Sequence, residues 1–288
     1  MTAPGRITGR STRRAGFVLA ELLVALIIAA IIGVALTQLV VSQSRFVALQ
    51  GSIMQARGGA RAALNVMATD YRMVSDGGLV AADHDSVTVR VPYAFGVACG
   101  QVSGKVIVSL LPADSASYGA ATASGYAWRD TTGKMVFVEP ATVTSSSTTN
   151  CTTTTITNPA ITTLSVTGWA ATAVSLPPGP PQGSVVYLYQ KVQYAFAPSA
   201  QLPGRIGLWR TVLSTGARDE LVSPFDTSAS FRFLVGSRLT ARLTPPVLLD
   251  SVQGLRLVLV AASETAPEGR TNPVQFTITS NVVFRNHP

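Results

Sequence analysis

Residues 16–36 read GFVLAELLVALIIAAIIGVAL, the longest apolar run in the chain and the stretch on which its architecture turns. From Phe17 to Leu36 twenty residues carry one charge, Glu21. An α-helix of that length rises about 30 Å, the thickness of a bilayer's hydrocarbon core. The segment is long enough to span a membrane. Ahead of it, residues 1–16 hold Arg6, Arg10, Arg13 and Arg14 and no acid. By the positive-inside tendency such a leader keeps the amino end cytoplasmic and delivers the remainder of the chain to the other side. A secretory signal peptide would have a shorter apolar core with small residues at a cleavage site beyond it, whereas residues from Thr37 onward read as more helix. A plain anchor accounts for the length but not for Glu21, because an ionisable side chain within a membrane is costly and is usually retained for a partner.

Taken in order, the basic leader, Gly16, Phe17, Glu21 as the fifth residue after the glycine, and the unbroken apolar helix resemble the prepilin signal of type IV pilins and type II secretion pseudopilins. The resemblance implies that a membrane aspartyl peptidase, the prepilin peptidase, cuts between Gly16 and Phe17 and that the new amino terminus, Phe17, is methylated. It also implies the partners: other pilins or pseudopilins, an inner-membrane assembly platform and membrane lipid. The cut would remove four arginines and create an amine about one helical turn from Glu21. A neighbouring protomer's amine and this carboxylate would then neutralise each other as helices stack into a filament, a pair worth far more in an apolar setting than in water. One departure from the family is visible. Many major pilins carry a proline about one turn past the membrane segment, and here none occurs between Phe17 and Val91. An unkinked helix is therefore expected, and the protein need not be the major, fibre-forming subunit.

The rest of the chain leaves room for one or two packed domains, since 288 residues with 47% hydrophobic content far exceed what the helix needs. Charged residues make up only 12%, and Thr, Ser, Ala and Val are abundant, which suits an extracytoplasmic β-rich head better than a cytosolic enzyme. The net charge of +8 overstates any affinity for nucleic acid: without the leader arginines there remain 18 basic and 14 acidic residues, with no run of Lys or Arg. Two cysteines, Cys99 and Cys151, lie on the side expected to be outside. They permit one disulfide, closing a loop of about fifty residues worth roughly 4 kcal/mol in the chain-entropy model. A bridge is favoured over a metal ligand or nucleophile, because zinc needs more ligands than these two and the only histidines, His84 and His287, supply.

After the anchor, helix is expected to continue over residues 37–75 as an amphipathic stem. Phe46, Leu49, Ile53, Ala60, Leu64, Met67, Tyr71 and Val74 recur at helical spacing and form the face expected to lie on a globular domain. Gln43, Arg45, Gln50, Gln55, Arg61 and Asp70 form the face expected to be wet or packed on other subunits. Gly51, Gly58 and Gly59 weaken the helix by about 1 kcal/mol each relative to alanine and predict a bend or local melting. Asp76, Gly77 and Gly78 end it.

A first β-rich part is expected over residues 79–176, with a Thr/Ser-rich insertion, and a second over 182–288, the run of Pro177, Pro178, Pro180 and Pro181 marking the best candidate boundary. Strands are expected over 86–91, with Val87, Val89 and Val91 on one side, and over 105–111; a hairpin is expected around residues 130–133. Asp83-His84-Asp85 reads as a turn before a strand rather than a metal or acid-base site. Residues 142–167 are dominated by Thr and Ser and are either exposed strand and loop or a low-complexity insertion. Beyond the prolines, strands are expected over 184–196, 207–212, 230–235, 252–260 and 274–284. Strict alternation of Gln275, Thr277 and Thr279 with Phe276, Ile278 and Ser280 marks a sheet with one buried face. This succession resembles, loosely, the C-terminal pattern of J-type pseudopilins and W-type minor pilins.

The fold class expected is α+β: a long N-terminal helix, membrane-spanning then amphipathic, packed on a mainly antiparallel β-sheet head, which the resemblance equates with the pilin lollipop. No enzyme is assembled from the sequence, which lacks the nucleophile elbow, phosphate loop and zinc-protease motifs; Asp219 and Glu220 would point to opposite faces in a strand or be solvated in a turn. No cofactor and no metal site is expected. The function expected is a minor, tip or priming subunit of a type IV pilus or type II secretion pseudopilus, held in the inner membrane with its head outside before assembly. The alternatives are a DNA-uptake pseudopilin or adhesin head on a pilin stem, with Trp128 and Trp169 as candidate ligand contacts, and a simple membrane-anchored β-domain.

Overall fold

The computed structural model describes residues 19–102, 105–110, 114, 117–118, 121–139, 144–146, 155–158, 161–165, 173–176, 179–268 and 270–284. The Gly16–Phe17 junction, Cys151 and Trp169 lie outside the described residues, and of Cys99 only the backbone is described, so neither the processing site nor the Cys99–Cys151 bridge falls within them. Chain contacts divide the protein into two units, residues 1–50 and 51–288.

A single α-helix, α1 (Leu19–Met73), supplies most of the first unit and begins the second. In the first unit it is long and apolar enough to cross a membrane, and its leucine, isoleucine and valine side chains between residues 19 and 41 are exposed. An α-helix satisfies its backbone hydrogen bonds within itself, so such a segment can sit in lipid with no unpaired peptide groups. Local melting at the glycines, one of the two outcomes expected, does not occur: helical backbone continues through Gly51, Gly58 and Gly59. At Gly59 the missing side chain serves packing, since a Cβ there would come within 3.3 Å of a Val222 methyl; at Gly51 and Gly58 the added atom would meet nothing within 4 Å.

Residues 51–73 of α1 lie on the sheet of the second unit. The buried positions are Ala56, Ala60, Ala63, Met67, Ala68 and Tyr71, spaced as one helical face demands. This corrects the expected face at both ends. Phe46 is exposed, and the contact is made chiefly by alanines, whose short side chains let helix and sheet approach closely. Asp70, expected to be wet or packed on other subunits, is drawn instead into the head. Past the helix, Gly77 adopts a left-handed φ of 70° and Gly78 donates its amide to the Ser75 carbonyl at 2.8 Å. A Cβ on Gly78 would lie 2.7 Å from that same carbonyl, so the turn requires glycine.

The strands are β1 (Leu79–Ala82), β2 (Ser86–Val102), β3 (Lys105–Leu110), β4 (Gly125–Arg129), β5 (Met135–Val138), β6 (Thr144–Ser146), β7 (Thr155–Asn158), β8 (Ile161–Ser165), β9 (Ala173–Leu176), β10 (Val185–Pro198), β11 (Ile206–Val212), β12 (Ala217–Phe225), β13 (Ser230–Val235), β14 (Thr240–Arg242), β15 (Val252–Ala262) and β16 (Gln275–Val283). A 3-10 turn, Leu249–Ser251, precedes β15. Fourteen of these strands form one antiparallel sheet whose main path is β14-β13-β15-β12-β11-β10-β2-β3-β9-β6, and β7 pairs separately with β8. The fold is α+β.

The pair β2–β10 is the spine. It runs from Val185 opposite Val97 to Ala195 opposite Ser86, joining the parts expected on either side of the proline run in one sheet. The register shifts where Leu188 pairs with Ala94 and Tyr189 with Pro92, leaving Tyr93 as the extra residue. A bulge suits a proline, which has no amide to give the ladder. It also changes the phase of β2: Val87, Val89 and Val91 are buried before it, Ala94 and Ala98 after it. Both ends of β2 can thereby serve the same side of β10, whose Val192 and Tyr194 belong to the core under α1. Leu188 and Val186 belong to a second core with Val106, Leu110, Tyr126 and Trp128.

Candidate assembly and packing surfaces

Glu21 sits in the apolar part of α1, where it shares a shallow groove with Ala20, Val24, Ala25 and Ile28. These residues recur at one and four, so one helical stripe places the carboxylate between two alanines. Of the residues singled out from the sequence for assembly, Glu21 is the one within the described residues.

In the second unit the carboxylates that leave solvent do structural work. The Tyr194 hydroxyl donates to Asp70 Oδ2 at 2.5 Å, and Arg210 Nε lies 3.6 Å from the same oxygen and 3.3 Å from the tyrosine oxygen. Tyr194 meets the Tyr71 ring edge-on at 5.3 Å. This clasp ties the last turn of α1 to β10 and β11. Burial first, then the charge and hydrogen bond of Asp70, push the Tyr194 hydroxyl far above the usual tyrosine range. Burial likewise raises Tyr71, with Tyr194 and Asp70 adding to it.

A second hub surrounds Glu139. Its carboxylate accepts from Arg90 Nε at 2.8 Å, Lys191 Nζ at 2.6 Å and the Tyr189 hydroxyl at 2.9 Å. Burial works to raise this carboxyl, but the bonds from Lys191, Arg90 and Tyr189 outweigh it and hold the group below the usual glutamate range. Arg90 also donates to the Gly77 carbonyl at 2.6 Å and lies over the Phe137 ring at 4.4 Å. The hub thus fastens the β4–β5 hairpin to the turn after α1. The adjoining cavity, lined by Met73, Arg90, Phe137 and Tyr189 among others, is about 10 Å³, room for a water at most.

The Asp83-His84-Asp85 segment is the turn between β1 and β2. Asp83 Oδ1 takes the His84 amide at 2.6 Å and faces its ring at 2.8 Å. The carbonyls of His84 and Asp85 accept from the amides of Phe231 and Phe196, at 2.7 and 2.9 Å. The three potential ligand atoms lie within 4.8 Å of one another on an exposed surface, but the backbone bonds account for the conformation. Asp219 and Glu220 lie in β12 opposite Arg210 and Trp209; Glu220 accepts from the Ser199 hydroxyl and from the amides of Ala200 and Gln201, at 2.9 and 3.3 Å, fixing that turn. Trp128, a candidate ligand contact by sequence, is buried against Tyr126 with ring centroids 5.8 Å apart.

Comparison with family models, with curated proteins and with solved structures finds no match of any kind.

The clasp and the hub were missed from sequence because their members are far apart: Asp70 and Tyr194 are 124 residues apart, Arg90 and Glu139 49. The usable signal was local. A carboxylate next to the buried Tyr71 falls at the edge of the apolar face, where it must find a donor or stay wet.

Proposed function

We propose that the chain is a minor subunit of a type IV pilus or type II secretion pseudopilus, made as a precursor that the prepilin peptidase cuts between Gly16 and Phe17. The observation that carries this reading is an acidic residue, Glu21, set in the exposed apolar part of a helix long enough to cross a membrane. In water that surface would be untenable, since each large apolar side chain left exposed forgoes about 1.5–3 kcal/mol of burial. Lipid covers it before assembly and neighbouring helices cover it afterwards. Glu21 then serves as the register mark, meeting the methylated amine of Phe17 on an adjoining protomer. The β-sheet head remains outside the membrane, and the clasp holds the last turn of α1 on the sheet within that unit.

The test uses two substitutions in the host membrane. Gly16→Glu is expected to leave the leader attached, seen as the intact mass of the full precursor; normal trimming would refute the peptidase assignment. Glu21→Val is expected to be inserted and trimmed but to enter filaments poorly, and unaltered incorporation would remove the charge-pair mechanism.

A further inference from the structure

Residues 243–249, LTPPVLL, connect β14 to the 3-10 turn before β15. A connection rich in leucine and valine normally turns those side chains inward. Here Leu249 does so, packing on the core beneath α1, but Leu243 is 53% exposed, Leu248 74% and Val247 wholly. The tip is stiff. Pro245 and Pro246 each fix a backbone angle, and the Leu248 carbonyl accepts from the Ser251 amide at 3.1 Å and its hydroxyl at 2.7 Å. A stiff tip gives up little conformational freedom on docking.

The skirt of this tip is basic. Arg238 and Arg242 line one open depression together with Pro246. Arg238 belongs to the β13–β14 turn, in which Leu239 holds a left-handed φ of 50° and bonds its amide to the Gly236 carbonyl at 2.9 Å. Leucine adopts that conformation at a cost, and such costs gather at functional sites. On β13, Arg232 stands opposite Arg256 of β15, whose Nε donates to Asn281 Oδ1 at 2.8 Å. Between residues 229 and 262 there are four arginines and one acid, Asp250, and Asp250 lines a different depression, with Arg90 and Lys134.

An exposed apolar tip with two arginines on the depression beside it suits a partner that is both apolar and anionic. A protein would have to offer a matching pocket rimmed with carboxylates. A bilayer needs no matching shape: its interfacial zone accepts valine and leucine, and anionic headgroups attract arginine. We infer that residues 243–248, with Arg238 and Arg242, dock on an anionic lipid surface, Val247 and Leu248 entering the headgroup zone. This stands apart from the filament reading, and failure of the Gly16→Glu or Glu21→Val experiments would leave it untouched.

The test uses the full chain held in phosphatidylcholine nanodiscs and mixed with separate vesicles. Val247→Trp places a reporter where the side chain has no protein neighbours to disturb, and an unchanged melting temperature checks the fold. Its emission is expected to shift to the blue on adding vesicles that contain phosphatidylglycerol, and not with phosphatidylcholine vesicles. Flotation with the anionic vesicles is expected to weaken at least tenfold in Arg238→Glu/Arg242→Glu and in Val247→Asp/Leu248→Asp. No shift with anionic vesicles overturns the inference, as does equal flotation of the Val247→Asp/Leu248→Asp variant. A shift produced by soluble polyglutamate without lipid would assign the tip to an acidic polypeptide instead. A shift that grows with protein concentration alone would assign it to a second copy of the chain.

Discussion

Replacing Tyr194 by phenylalanine removes one oxygen from the centre of the second unit and leaves the rest of the ring in place. The ring is fully buried, and its edge-on contact with Tyr71 survives the change. What is lost is the hydrogen bond donated to a carboxylate at 2.5 Å and the weaker one accepted from Arg210 Nε at 3.3 Å. Bonds to charged groups contribute roughly 1.5–3 kcal/mol, but the Asp70 side chain keeps 17% of its surface in water and retains Arg210 nearby. The expected loss is therefore about 1–2 kcal/mol. For a domain of this size that lowers the melting temperature by roughly 2–4 °C per kcal/mol. The reciprocal change, Asp70→Ala, leaves the buried hydroxyl's proton without its acceptor, Arg210 remaining as donor to the oxygen, and is expected to cost at least as much. Thermal unfolding of the full chain in detergent, followed for both single variants and the double variant, gives the coupling between them. A coupling of about 1 kcal/mol or more is expected for partners in direct contact. Coupling indistinguishable from zero would refute the claim that this clasp holds the end of α1 to the sheet. The alkaline limb gives an independent reading. Because the folded Tyr194 pKa is raised, the stability it contributes is complete below the unfolded tyrosine value, about 10, and is lost as pH rises beyond it; Tyr194→Phe should flatten that decline.

Three further outcomes are expected. Glu139 titrates below its usual range when folded, so its contribution is present above the ordinary carboxylate value and is lost as pH falls through and below it; Glu139→Gln should make the acid limb of a stability–pH curve shallower, and an unchanged limb would deny the hub its ionic role. Gly58→Ala, where an added Cβ meets nothing within 4 Å, should raise stability by about 0.5–1 kcal/mol in denaturant titration. Ala63→Leu, at a position with no exposed surface against the sheet, should lower it by about 1–3 kcal/mol through overpacking; a neutral result would show that the alanine face is not a close contact.

Much of the architecture was legible because it arises from local pattern. Turn chemistry placed the β4–β5 hairpin, where Asp130 Oδ1 collects the Thr132 and Lys134 amides, each at 2.9 Å, and Gly133 takes a φ of 85°. Alternation placed β16, whose Phe276 and Ile278 are half-buried between exposed Gln275, Thr277 and Thr279. The stem was read less well, because periodicity identifies an apolar face without saying where along the helix a partner begins. Phe46 and Ala60 fall on the same stripe, and only contact with the sheet separates the exposed one from the buried one. Glycine propensity misled for a related reason: the roughly 1 kcal/mol each glycine costs is small beside the cooperative ladder of a 55-residue helix.

By itself, then, the amino-acid order determined that a long apolar helix precedes a β-rich body, that one carboxylate is lodged in that helix, and where most strands fall. These are consequences of period and composition over ten or twenty neighbouring residues. Only the tertiary structure decided that β2 and β10 unite the two β-rich parts, that a bulge at Pro92 and Tyr93 changes the phase of β2, and that Asp70 and Glu139 are gathered inward. Each depends on strand register or on a partner dozens of residues away, and register is settled when competing pairings bury different amounts of surface, a comparison no local stretch contains.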